Sequence, residues 1–128
     1  MGNPIVYVGK YRLASENVDV FRKVAKEVAQ YVEENEPQLL AYIEYMSEDG
    51  PEASTIQIHP DSESMETHLE VAGAKFGDAM ALMEDVKIDL YGALSESLRE
   101  RLTYMAQTFG VSLTLHQSHA GFARLHKS

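Results

Sequence analysis

The order in which the hydrophobic period changes along this chain leaves few folds open to it. Residues Ile5 to Leu13 alternate, with Ile5, Tyr7, Gly9, Tyr11 and Leu13 on one face and Val6, Val8, Lys10 and Arg12 on the other, which predicts a strand with two partly apolar faces. The period then lengthens: Val18, Phe21, Val24 or Ala25, Val28 and Val32 recur at helical spacing, Ser15 is placed as an N-cap, Glu16 and Asp19 fall in the first turn, and Pro37 ends the run. Leu39 to Met46 and Ser54 to His59 are rich in aromatic and β-branched residues and flank Ser47-Glu48-Asp49-Gly50-Pro51, so they predict an antiparallel hairpin. Pro60-Asp61 supplies a stop and an N-cap for a second helix, whose inner stripe is Met65, Leu69, Ala72 and Phe76 and which Gly73 and Gly77 are expected to break or kink. Val86 to Tyr91 alternates again and Gly92 turns the chain. Beyond it Ser95 caps a third helix with Leu98, Leu102, Met105 or Ala106 and Phe109 inward, Gly110 suits a left-handed C-terminal cap, and Val111 to His116 predicts a fifth strand, resumed at Gly121 to Leu125.

This order, β-α-β-β-α-β followed by an α-β extension, predicts an α+β chain of ferredoxin-like type: an antiparallel sheet with helices on one face. We read residues 1–128 as one domain, with a core at 4–92 and an extension at 93–128. Helices cover only one sheet face in such a fold, yet the first two strands carry large apolar residues on both. The second face is therefore expected against a copy of the chain, as a homodimer. Burial there is worth roughly 25 cal/mol per Å² before association costs. The alternative is that the extension covers that face.

Composition narrows the function classes. At 128 residues, 45% hydrophobic and 24% charged, the chain is long enough to bury a core. No cysteine is present, which removes disulfides and thiolate chemistry and suits a reducing, cytoplasmic setting. A formal charge of −9 with scattered basic residues disfavours nucleic acid as a partner. Met1-Gly2-Asn3-Pro4 does not open a signal sequence, and no apolar run is long enough to span a membrane. No phosphate-binding glycine loop, nucleophile elbow or zinc-binding helix motif is found.

The segment His59-Pro60-Asp61-Ser62-Glu63-Ser64-Met65-Glu66-Thr67-His68-Leu69 resembles the strand end, polar cap and histidine-bearing second helix of the antibiotic-biosynthesis monooxygenase-like family, and the likeness extends over residues 4–92. The resemblance implies a dimeric α/β barrel. It also implies oxidation of quinols, aromatic polyketides or haem, without a bound cofactor, in a pocket between sheet and helices that Asn, Trp and His line. This chain departs from that pattern: it has no Trp, its first strand offers Tyr7, Gly9 and Tyr11 rather than an Asn, and Met65 stands where an aromatic is common.

His68 is the candidate catalytic residue, since its place beside the Met65–Ala72 stripe lets a neutral imidazole accept a phenolic proton. The plainer alternative is a partly exposed helix residue bonded to Glu63, Ser64 or backbone. Tyr7, Tyr11 and Tyr42 are candidate substrate-binding residues, joined by His59 at a strand end and by Met65; Tyr45 and four further methionines add packing surface. His116 and His119 fall on opposite strand faces with no third ligand, so no metal is expected. Glu33, Glu34 and Glu36 read as a solvated helix end. The expected function is a cofactor-independent monooxygenase acting on a small aromatic or quinol-like substrate. The alternatives are a non-catalytic dimer that binds a small hydrophobic ligand, and haem binding or degradation with His68 as the axial ligand.

Overall fold

The computed structural model describes residues 4–125; residues 1–3, on which the reading of the N-terminus partly rests, and 126–128 lie outside the described residues. Five strands and three α-helices follow one another as β1 (Ile5–Leu13), α1 (Val18–Asn35), β2 (Ala41–Met46), β3 (Glu52–His59), α2 (Ser62–Met80), β4 (Met83–Tyr91), α3 (Glu96–Phe109) and β5 (Ser112–His116). They form one sheet in the order β2-β3-β1-β4-β5. The first four strands are antiparallel neighbours, with Tyr7 opposite both Gln57 and Leu90 and Tyr42 opposite Gln57. β5 lies parallel to β4, with Leu90 beside Leu115, as the α3 crossover dictates. The ferredoxin-like order is thus present, with a parallel strand added at one edge.

Local chemistry accounts for the element ends. Asp61 accepts from the Ser64 amide at the start of α2, Ser95 accepts from the Leu98 amide at the start of α3, and Gly110 closes α3 at φ 67°. Gly92 turns the chain at φ 128°, and a β-carbon there would sit 2.6 Å from the Pro4 carbonyl oxygen. Four expectations require correction. Ser15 does not cap α1: a 3-10 turn at Ser15–Asn17 intervenes, and Asn17 makes no capping bond through its side chain. Gly73 and Gly77 do not interrupt α2, which runs unbroken through both. Phe109 is 60% exposed because it ends α3, where the chain turns away at Gly110. Gly121 to Leu125 forms no strand and is exposed.

The helical face of the sheet holds the core. Phe21, Ala25, Val28 and Val32 on α1 are buried, as their spacing predicts. One cluster joins Ile5, Met65, Ile88 and Leu90 to Leu98 and Leu102 of α3, so the extension shares the core of the first six elements. The opposite face carries Val6, Val8, Ile56 and Ile58, each half-buried, with Ile43 and Tyr45 exposed. α3 packs on the helical side and residues 117–125 are exposed. The extension therefore does not cover this face within one chain.

Candidate active site

Alternation on β1, β2 and β3 sends Tyr7 and Tyr11, Tyr42 and Glu44, and Thr55 and Gln57 to the helical side of the sheet, where α2 lays Met65 and His68 over them. Between these layers is a cavity of about 110 Å³. Tyr7, Tyr11, Tyr42, Met65 and His68, five of the six predicted site residues, lie on its wall. Gly9 makes room for the Tyr7 phenol, whose hydroxyl would lie 3.0 Å from a β-carbon at that position. The rest of the lining is largely apolar and includes Met80, Met83 and Met105.

His68 is not the partly exposed residue of the plainer alternative; it is 1% exposed. Its Nδ1 lies 2.9 and 2.8 Å from the two carboxylate oxygens of Glu36, which is equally buried. Glu36 caps the C-terminal end of α1, its backbone N–H bonded to the Val32 carbonyl. Glu33 and Glu34 are exposed as expected, but the reading of Glu36 as solvated is overturned. With Nδ1–H directed at Glu36, a neutral ring carries its lone pair on Nε2, and that atom is buried without a hydrogen-bond partner. Phe76 meets the ring edge-on at 5.3 Å, and Tyr42 and His59 flank it at 5.8 and 5.7 Å.

His59 stands behind this wall rather than on it. Its side chain is fully buried, with Nδ1 2.7 Å from the Ser64 hydroxyl and Nε2 2.8 Å from Gln57 Oε1. Burial, reinforced by the neighbouring His68, lowers its pKa to about 3, so the ring is neutral at pH 7. Ser64, one sequence alternative for bonding His68, is thereby committed to His59.

A second polar group occupies the cavity wall further along β2. The Tyr11 hydroxyl is hydrogen-bonded to Glu44 Oε2, Thr55 donates to Glu44 Oε1 at 2.9 Å, and the Tyr11 and Thr55 hydroxyl oxygens are 2.9 Å apart. Burial raises the pKa of the Glu44 carboxyl. Burial, then repulsion from Glu44 at the high pH where a phenol would ionise, also pushes the Tyr7, Tyr11 and Tyr42 phenols well above their usual value, so they are neutral hydrogen-bonding groups at ordinary pH. Sequence reasoning did not single out Glu44, although its alternation with Tyr42 and Met46 places it on this face. Among the described residues no group of three or more His, Asp or Glu is placed to hold a metal ion.

No protein-family model matches the chain, and no curated protein matches its sequence. Solved structures do match its fold. MupZ from Pseudomonas fluorescens aligns with a TM-score of 0.74 over 94% of this chain and 94% of its own, at 13% identity. A protein of Caulobacter crescentus CB15, provisionally named an antibiotic biosynthesis monooxygenase, gives 0.65 over 73% of this chain and 92% of its own, at 18% identity. A further antibiotic biosynthesis monooxygenase gives 0.61 over 71% and 99%, at 19% identity. The chain therefore shares the fold of these structures, as the resemblance of the His59–Leu69 segment implies. The MupZ match leaves too few residues uncovered to omit α3 and β5, so the extension also has a structural counterpart. No helix among the described residues is long and apolar enough to cross a membrane.

Proposed function

We propose that this chain is a cofactor-independent monooxygenase that oxidises a small, single-ring phenol or quinol. The observation that carries this reading is the bare Nε2 of His68, on the wall of a largely apolar cavity, with Nδ1 held by Glu36. An imidazole fixed at one nitrogen by a carboxylate has the other available as a base. Deprotonation of a phenol hydroxyl at Nε2 leaves an electron-rich ring that can reduce dioxygen. Formation of a ring C–O bond, loss of the ring C–H proton and cleavage of O–O then give quinone and water. Phenol plus dioxygen equals quinone plus water in atoms and electrons.

Size sets the substrate class. The cavity is smaller than the roughly 150 Å³ of an engineered apolar site that binds benzene. A single ring is accommodated if the four methionines of the lining shift. Haem and polycyclic guests require a cleft nearer the roughly 300–1,000 Å³ of drug-sized sites, which favours a single-ring guest over haem in this cavity. The functional unit in this reading is a homodimer formed through Val6, Val8, Ile43, Tyr45, Ile56 and Ile58, because nothing in the described chain covers that face. Sedimentation equilibrium at micromolar concentration should give twice the chain mass; a monomer would remove the barrel from the proposal.

Oxygen uptake with single-ring phenols and quinols, without added flavin, haem or metal, tests the activity. His68→Ala should lower the rate by about 10²–10⁴-fold. No uptake by the wild type across the panel would sink the oxygenase, and saturable binding of the same compounds without turnover would leave a ligand-binding dimer.

A further inference from the structure

Tyr11, Thr55 and Glu44 form a closed ring whose protons can be counted. Three contacts join them: Tyr11 to Glu44, Thr55 to Glu44, and Tyr11 to Thr55. Each needs one hydrogen, and the two hydroxyls supply only two. With an ionised Glu44, both hydroxyl hydrogens point at the carboxylate and two oxygen lone pairs face each other at 2.9 Å between Tyr11 and Thr55. With a protonated Glu44 every contact is filled: the carboxyl donates to Tyr11, Tyr11 donates to Thr55, and Thr55 donates back to Glu44.

The surroundings agree. Among the described residues no Lys or Arg lines the cavity to favour a carboxylate. The titratable groups facing Glu44 are the phenols of Tyr7 and Tyr11 on β1 and of Tyr42 on β2, with His68 on α2 further along the same wall. Burial acts in the same direction on the carboxyl and outweighs the opposing pull of the Tyr11 and Thr55 hydroxyls, which taken as donors favour the carboxylate. A carboxylic acid kept neutral in an apolar site is a proton donor at neutral pH.

We propose that Glu44 is a second catalytic residue of this cavity, an acid that holds its proton in the ring with Tyr11 and Thr55 and delivers it to the substrate region while His68 accepts one. The role rests on the oxygenase reading above. There, the ring-bound hydroperoxide loses its C–H proton to a base, the O–O bond breaks, and the departing hydroxide takes the Glu44 proton and leaves as water. Two protons accepted by His68 over the cycle, one from the phenol and one from the ring carbon, are balanced by one consumed at the peroxide oxygen and one returned to Glu44. The substrate class that follows is a phenol with an unsubstituted ring carbon ortho or para to its hydroxyl, since only there does a C–H remain to be lost.

Glu44→Gln is the informative variant, because an amide can fill the same ring with its N–H directed at Tyr11. Infrared difference spectra at pH 7 should show a protonated-carboxyl stretch in the wild type that is absent from Glu44→Gln. With a single-ring phenol as probe, quinone formation by the variant should fall by about 10²-fold, with a smaller loss of oxygen uptake and the difference recovered as peroxide. Absence of the carboxyl band, or quinone and peroxide yields in the wild-type ratio, overturns the proposal. Should the wild type take up no oxygen, the oxygenase reading and the acid role fall together, and the infrared band alone reports whether Glu44 carries its proton.

Discussion

Glu36 and Glu44 are the same residue type, both face the helical side of the sheet, and both reach the neighbourhood of one cavity, yet their partners differ in kind. Glu36 meets an imidazole and holds one nitrogen of it; Glu44 meets two hydroxyls and no base. A carboxylate beside an N–H donor fixes a ring, whereas a carboxyl among alcohols is stabilised in its neutral form by burial. The difference shows how one side-chain chemistry can serve as an anchor at one end of a wall and as a store of protons at the other.

The strongest way to break this contrast is to remove the anchor. Glu36→Ala leaves the Nδ1–H of a fully buried imidazole unpaired, which is expected to lower stability by about 1–3 kcal/mol. In urea unfolding this appears as a lower midpoint at unchanged slope, and oxygen uptake should fall towards the level of His68→Ala. A stable Glu36→Ala with full activity would show that the pair neither orients nor supports His68.

A smaller effect sharpens the contrast through pH. His59 titrates near 3 when folded, below an ordinary imidazole near 6.5, so the unfolded chain binds more protons between these values. Its contribution to stability is full above pH 6.5 and is lost as pH falls towards 3, at up to about 1.4 kcal/mol per pH unit. Glu44 has the opposite sign, because its folded pKa is raised: its contribution is full below the unfolded carboxyl value and is lost as pH rises through the folded one. Urea midpoints from pH 4 to 8 should therefore fall on the acid side less steeply in His59→Gln than in the wild type. Glu44→Gln, with no group to ionise, should gain relative to the wild type as pH rises. Parallel curves for all three proteins would contradict both assignments.

How much of this was legible depends on how far apart the interacting residues lie in the chain. The caps at Asp61 and Ser95, the α1 stripe and the face shared by Tyr7 and Tyr11 follow from neighbours within a few positions, and each is present. His68 could be found because it borders the Met65–Ala72 stripe. Glu36 was missed because its partner is 32 residues away and its neighbours Glu33 and Glu34 are solvated. A signal was nevertheless there: Glu36 falls four residues after Val32, on the same helical stripe as Val28, so the last member of an apolar row is a carboxylate. Glu44 carried a similar signal, a charge alternating with Tyr42 and Met46. Gly73 and Gly77 mislead for the converse reason, since neighbouring turns of a well-packed helix hold them in place.

The position of β1 at the centre of the sheet has a consequence for synthesis on the ribosome. Its partners β3 and β4 begin at Glu52 and Met83, so the first strand made is among the last to be completed, with Val6 waiting for Tyr91. At roughly 5–20 residues per second that wait is on the order of ten seconds, during which an apolar strand lacks its β4 neighbour on one edge. Such non-local pairing slows folding and leaves a sticky edge exposed. Nascent chains stalled before Met83 should therefore be the form of this protein that chaperones meet most often.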